Sequence, residues 1–278
     1  MTIPTPTSTS RPGRWISIVV IVLGAIAILY GVGGGVLRGF GSHQATSNDY
    51  SADASGVEEL HIDSSASAFE IRFADVDEAT LEVTTNGGPV QQWRLEREGD
   101  VLSVDTDWRW NWLGFGIILG DRVGEERAVL TLPAELEHRG LGLEVGVSAG
   151  SFEASGDWGA ASVELSAGDV DLAGTAESLA VEVSAGEARI EVGTAGAVDL
   201  DVSAGRIVGS LSGEQPASID ARVSAGRIDL SIPDGEYAVT EETSAGSSDV
   251  HVVDDPSATS TIDVQVSAGN VTLRGEGR

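Results

Sequence analysis

The sequence predicts an all-β fold, a parallel β-helix or β-solenoid preceded by one transmembrane α-helix. Three observations carry this reading. A Ser-Ala-Gly triplet recurs seven times, apolar residues alternate strictly on both sides of it, and one uncharged stretch of 23 residues lies near the N-terminus.

The triplets end at Gly150, Gly168, Gly186, Gly205, Gly226, Gly246 and Gly269, at spacings of 18, 18, 19, 21, 20 and 23 residues. Aligning the copies on that glycine sorts their flanks into columns. Phe152, Val170, Ala188, Ile207, Ile228, Ser248 and Val271 stand two residues after it, and Val147, Leu165, Val183, Val202, Val223, Thr243 and Val266 three before. Positions between the apolar columns are polar, as at Glu164, Glu182 and Asp201. Alternation of period two on both sides of a fixed glycine means two half-buried strands joined at a corner. Glycine supplies the positive φ or close backbone approach such a corner demands. Ala is expected to point inside the bend, and Ser to bond neighbouring backbone. A single repeat cannot bury its apolar face, so each strand is expected to pair with its equivalent one repeat away. A β-sandwich is the alternative, but it would not require the same corner seven times.

Upstream the pattern loosens. LHIDSSASAFEIRF (60–73) is a degenerate copy with Ser-Ala-Ser in place of Ser-Ala-Gly, QQWRLEREGDVLSVDT (91–106) reads as a hairpin around Gly99-Asp100, and ERAVLTLP (126–133) as a further strand. The expected solenoid therefore covers 57–278, irregular to about 140 and regular over 141–278.

Residues 15–37 hold no charge, and at ~1.5 Å rise per residue their helix would cross the ~30 Å hydrocarbon core. Arg11 and Arg14 precede the stretch and Arg38 follows it, which favours the N-terminus inside and the remainder outside. A cleaved signal peptide, with a cleavage region at 33–35, is the competing reading; the length of the apolar stretch favours an uncleaved anchor. Residues 1–14 read as a disordered cytoplasmic tail and 38–56 as a linker. The chain is thus expected in the cell membrane as a single-pass protein, with its C-terminal domain extracellular.

Composition excludes several functions. There is no Cys, so disulfides, thiolate catalysis and Cys-ligated zinc are ruled out. All 44 acidic residues lie at or beyond Asp49, against 13 Arg and no Lys there, a formal charge of −31 that repels nucleic acid.

The strand-Pro step VLTLP (129–133), then LGLEVGVSAG (141–150) and the copies beyond it, resemble the bacterial putative-adhesin domain family, once catalogued as a domain of unknown function. That resemblance covers about 57–278 and implies a membrane-tethered β-helix of the cell envelope. It brings no catalytic residues.

Candidate sites are few. TDWRWNWLGFGIILGDR (106–122) interrupts the repeats, and Trp108, Trp110 and Trp112 share one face of an extended stretch, with Phe115 following. They are expected either to contact a partner or membrane or, as the favoured reading, to cap the solenoid. The outward row Glu164, Glu182, Asp201 reads as a solvated face relieved by Arg189, Arg206, Arg222 and Arg227, since its carboxylates do not converge on one point. His43, His61, His138 and His251 show no ligand spacing. Ser-Ala-Gly lacks the frame of a nucleophile elbow. The expectation is no enzyme, no catalytic residue, no cofactor and no metal. The expected role is a membrane-anchored, adhesin-like binding module of the bacterial envelope, held through 15–37 and engaging a surface protein or glycan. The alternative is an envelope-sensing or scaffold protein coupled to a membrane partner.

Overall fold

Alternating apolar residues build sixteen strands in the computed structural model, which describes residues 46–86, 92–106, 126–194 and 196–276. These residues belong to one compact unit, His43–Arg278. The stretch 15–37 and the tail 1–14 lie outside the described residues. Among the described residues no helix is long and apolar enough to cross a membrane, and the helical content is one 3-10 turn, Ala134–Leu136. The expected transmembrane helix is therefore no part of the fold seen.

The repeats supply strands β7 (Leu141–Leu165), β8 (Asp169–Val183), β9 (Glu187–Gly193), β10 (Ala197–Val202), β11 (Arg206–Ser212), β12 (Ser218–Val223), β13 (Arg227–Ile232), β14 (Glu236–His251), β15 (Val253–Asp254) and β16 (Ser260–Gly275). The first half of β8 pairs with β9 and its second half with β10. Likewise β16 pairs with β12 through one half and with β13 through the other. With β10–β12 and the run β9–β11–β13 between them, seven parallel strands close into a ring, β8–β10–β12–β16–β13–β11–β9. The expected solenoid is corrected to a closed seven-stranded parallel β-barrel, although from β7 to β13 each strand pairs with its equivalent one repeat onward as expected and only β16 skips a repeat. Period-two alternation says which side of a strand is buried and is silent on closure. Closure comes from β8 and β16, each long enough to serve both sides of the ring.

Strand order departs from chain order where polarity demands it. β14 pairs with β16 along nearly its whole length, so the last repeat lies between β14 and the β12/β13 pair. The β14 residues in register with the inward column are Glu241, Thr243 and Ser248, polar and not buried, whereas β16 offers Val264, Val266 and Val271, each at most 2% exposed. Burying polar groups without partners costs free energy, so the apolar strand takes the inner place.

The other side of the barrel continues through β7 to β2 (Glu59–Ala74), which also pairs with β5 (Val101–Thr106) and β6 (Glu126–Pro133). Here too chain order is broken. Antiparallel strands finish this end: β4 (Trp93–Glu98) against β5, β3 (Ala79–Thr85) against β6, and β1 (Thr46–Ala52) against β3. The reading of 38–56 as a linker is corrected over β1. Backbone hydrogen bonds do not depend on side chains, and Tyr50 and Ala52 pack against the core. Around the end of β2, Phe69 stacks on Phe152 at 5.9 Å and meets Trp93 at 5.8 Å. The Trp93 indole N–H donates to the carboxylate of Glu126, which is nearly buried.

Inside the ring lie the alternate residues of each strand, such as Leu172, Val181, Ile190, Leu200, Ile228 and Leu230, all at most 3% exposed. Each such side chain contributes roughly 1.5–3 kcal/mol by leaving water. At the Ser-Ala-Gly corners the ladder continues without a break, with Ser184 N–H donating to Leu165 O at 2.8 Å and Ala185 N–H to Ser166 O at 3.1 Å. Gly168 has φ 119°, and a Cβ there would stand 1.9 Å from Gly150 O. At Gly205 no unusual φ is involved, yet a Cβ would stand 2.5 Å from Gly186 O and 2.6 Å from Val183 Cγ1. Close approach between neighbouring repeats is thus the common demand of the column. The corner alanines do not point inward as expected: Ala167, Ala185, Ala204, Ala225 and Ala268 are exposed. The glycine backbone, with no Cβ, occupies the tight inside.

Candidate functional site

Away from the glycine column, β8 changes partner from β9 to β10 between Thr175 and Leu179, and β7 runs alongside it at Asp157 and Trp158. They form a groove of about 710 Å³ lined by His138, Asp157, Trp158, Thr175, Glu177 and Glu214 among others. Register aligns its floor. Asp157 lies opposite Thr175, Thr175 opposite Gly193, and Gly193 opposite Ser212. Parallel neighbours lie ~4.8 Å apart, so the polar groups of Asp157 and Thr175 stand side by side, while Gly193 adds none.

The turn before β7 brings a histidine to this row. Pro133 ends β6, the 3-10 turn Ala134–Leu136 follows, and Asp157 N–H donates to Glu137 O at 3.0 Å. His138 Nδ1 then lies 2.7 Å from Asp157 Oδ2, while the Thr175 hydroxyl donates to Asp157 Oδ1 at 2.8 Å. The hydrogen bond to Asp157 holds the His138 proton, raising its pKa above the ordinary 6.5. The Thr175 hydroxyl first, and His138 second, hold Asp157 below the ordinary 3.8. The two charged forms support each other, so the row offers a carboxylate beside an imidazole that holds its proton more readily than a free one, with His138 three-quarters exposed. Behind them Trp158 is buried, its ring 6.1 Å from that of Phe73, and fixes the wall. What the row can do chemically is exchange hydrogen bonds and charge with a ligand lying across the strands.

Sequence reasoning missed this row. His138 and Asp157 are 19 residues apart in different repeats, and the one available signal was Asp157 and Thr175 standing one repeat length apart. It also missed His61, Asp63 and Asp105, which the β2–β5 pairing brings together so that their ligand atoms all lie within 4.8 Å of one another. Trp108, Trp110, Trp112 and Phe115 lie outside the described residues. Gly150, Gly168, Gly186, Gly205, Gly226, Gly246 and Gly269 run in one column along the corner, the last two in reversed order because β16 lies inside β14. The outward row Glu164, Glu182 and Asp201 is in register and continues to Arg222, whose guanidinium donates to Asp199 at 2.9 Å. On the other side of the ring Arg206 pairs with Glu187, and Arg189 with Glu187 at 3.0 Å.

No protein-family model and no curated protein matches the chain. Among solved structures it is similar to a putative adhesin from Parabacteroides merdae ATCC 43184, with a TM-score of 0.44 and 13% identity over 86% of this chain and 96% of that one. A putative cell adhesion protein from Clostridium sporogenes ATCC 15579 gives a TM-score of 0.35 at 9% identity, covering 84% of this chain and 100% of that one. A putative adhesin from Bacteroides fragilis NCTC 9343 gives 0.35 at 14% identity, covering 84% and 98%. The structural neighbours are thus putative adhesins at low identity, with no family match behind them.

Proposed function

We propose that this protein is an adhesin-like binding module of the bacterial cell envelope, displayed outside the membrane, which engages a surface glycan or protein along the His138–Asp157–Thr175 groove. The single observation that carries the reading is the hydrogen-bonded group His138–Asp157–Thr175, held in register on neighbouring strands where it lines the groove. The groove is wide and open on a scaffold whose backbone is committed to the ladder, so little ordering is lost on binding. Hydroxyl-rich chains fit its mixed donors and acceptors, and the uncharged stretch 15–37 is the sequence feature that favours a location at the membrane.

The test is binding of the purified full chain to a glycan array and to intact bacterial cells. Replacing Asp157 by Ala together with Thr175 by Val is expected to weaken binding about tenfold or more, the equivalent of one or two hydrogen bonds. Binding by the folded double variant at undiminished strength would show that the groove is not the site.

A further inference from the structure

We propose that His61, Asp63 and Asp105, with Glu144 as fourth donor, bind a zinc ion that clips three neighbouring strands together. This reading is independent of the groove. His61 and Asp63 are two apart on β2 and so share its outer face. β5 lies on one side of β2 and β7 on the other. Asp63 faces Asp105 on β5 in register, and His61 faces Glu144 on β7, with Nδ1 3.4 Å from Oε2.

The ligand atoms of His61, Asp63 and Asp105 already lie within 4.8 Å of one another. Zinc bonds of ~2.0–2.2 Å to imidazole and carboxylate in a tetrahedron put ligand atoms roughly 3.4 Å apart. The remaining contraction, at most about 1.4 Å, needs only side-chain rotation, for which His61 and Glu144, with 38% and 58% of their side chains exposed, have room. A second feature shapes the place for the ion. Gly146 sits opposite Asp63 on β7, and a Cβ there would stand 2.8 Å from Asp63 Oδ1, so the missing side chain is what lets this carboxylate lie across to its neighbours.

Charge and donor type choose the ion. Asp63, Asp105 and Glu144 put three carboxylates on three adjacent strands, where like charges repel. Arg94 stands opposite Asp105 on β4, and its guanidinium Nε lies 3.4 Å from Glu96. A divalent cation at the cluster relieves the repulsion. One imidazole with three carboxylates suits zinc, whereas calcium seeks six to eight oxygens and magnesium keeps most of its water. With β4 hydrogen-bonded to β5, the ion would fasten the β4–β5 hairpin to the body of the fold.

The experiment is calorimetric titration of zinc chloride into the chelator-treated full chain, followed by thermal melting. The expected results are one ion per chain, a melting temperature raised by zinc and not by calcium, and affinity at least about tenfold weaker in His61→Ala and in Asp105→Asn. His251→Ala, remote from the cluster, should bind as the unaltered chain does. Melting in chelator shows that each variant is folded before zinc is added. No zinc binding by the unaltered chain, or equal binding by folded His61→Ala, would overturn the proposal.

Discussion

Gly168→Ala is expected to cost more than about 4 kcal/mol and to leave little folded protein. Two costs combine. A methyl group at Gly168 would stand 1.9 Å from Gly150 O and 2.9 Å from Gly150 N, atoms of backbone that cannot swing aside as a side chain can. The backbone at φ 119° is also one that residues with a Cβ rarely adopt. Relief would require the two repeats to part, breaking the ladder bonds that carry the corner, such as Glu187 N–H to Gly168 O at 3.0 Å. Gly99→Ala is the control. Its φ of 68° costs roughly 1–2 kcal/mol, but nothing lies within 4 Å of the added carbon. Urea unfolding of the two variants compares a crowded corner with an open turn, both at positive φ. Equal losses would mean that contact between repeats is not what the glycine column serves.

The second large effect concerns the two final repeats. Val264→Glu is expected to destabilise by at least about 3–4 kcal/mol, because a carboxylate would be placed at a fully buried position with no partner. Val264 is 0% exposed, with Ala221 beside it on one strand and Glu241 on the other. Glu241→Val should change stability by no more than about 0.5 kcal/mol, since β14 is an outer strand and Glu241 is exposed. Both residues stand five before their corner glycine, so the aligned repeats treat them as equivalent. Their opposite responses to denaturant would follow from strand order alone. If the repeats followed chain order, Glu241 would lie between two strands and the contrast would disappear.

That contrast marks how far the sequence was legible. The alternation around each Ser-Ala-Gly correctly located the strands, because burial on one face of a pleated strand leaves a trace every second residue. The odd columns at Glu241, Thr243 and Ser248 were visible as well, but a polar inward position says only that a strand is weakly buried. It does not say that a later strand slips inside it. Closure of the ring was illegible for a related reason, since a strand serving one neighbour and a strand serving two show the same alternation. The inward alanine was a misjudgement of scale, as the corner is too tight for a methyl group. The candidate sites were hidden because each is assembled by pairing. Asp105 reaches His61 only through the β2–β5 register, and His138 reaches Asp157 only through the turn that carries it over β7.

The central claim is that β16 closes the barrel by lying directly against β12 and β13. The chain has no cysteine, so a paired cysteine variant reports on one contact at a time. Arg222 on β12 lies opposite Gln265 on β16, and Gln265 in turn lies opposite Glu242 on β14. Neighbouring strands hold opposed Cα atoms ~4.8 Å apart, within the range a disulfide spans. Mild oxidation of the variant carrying Arg222→Cys and Gln265→Cys should therefore give an intramolecular disulfide, while the variant carrying Arg222→Cys and Glu242→Cys should stay reduced. A disulfide in the second variant and none in the first would place β14 against β12 and contradict the closed ring.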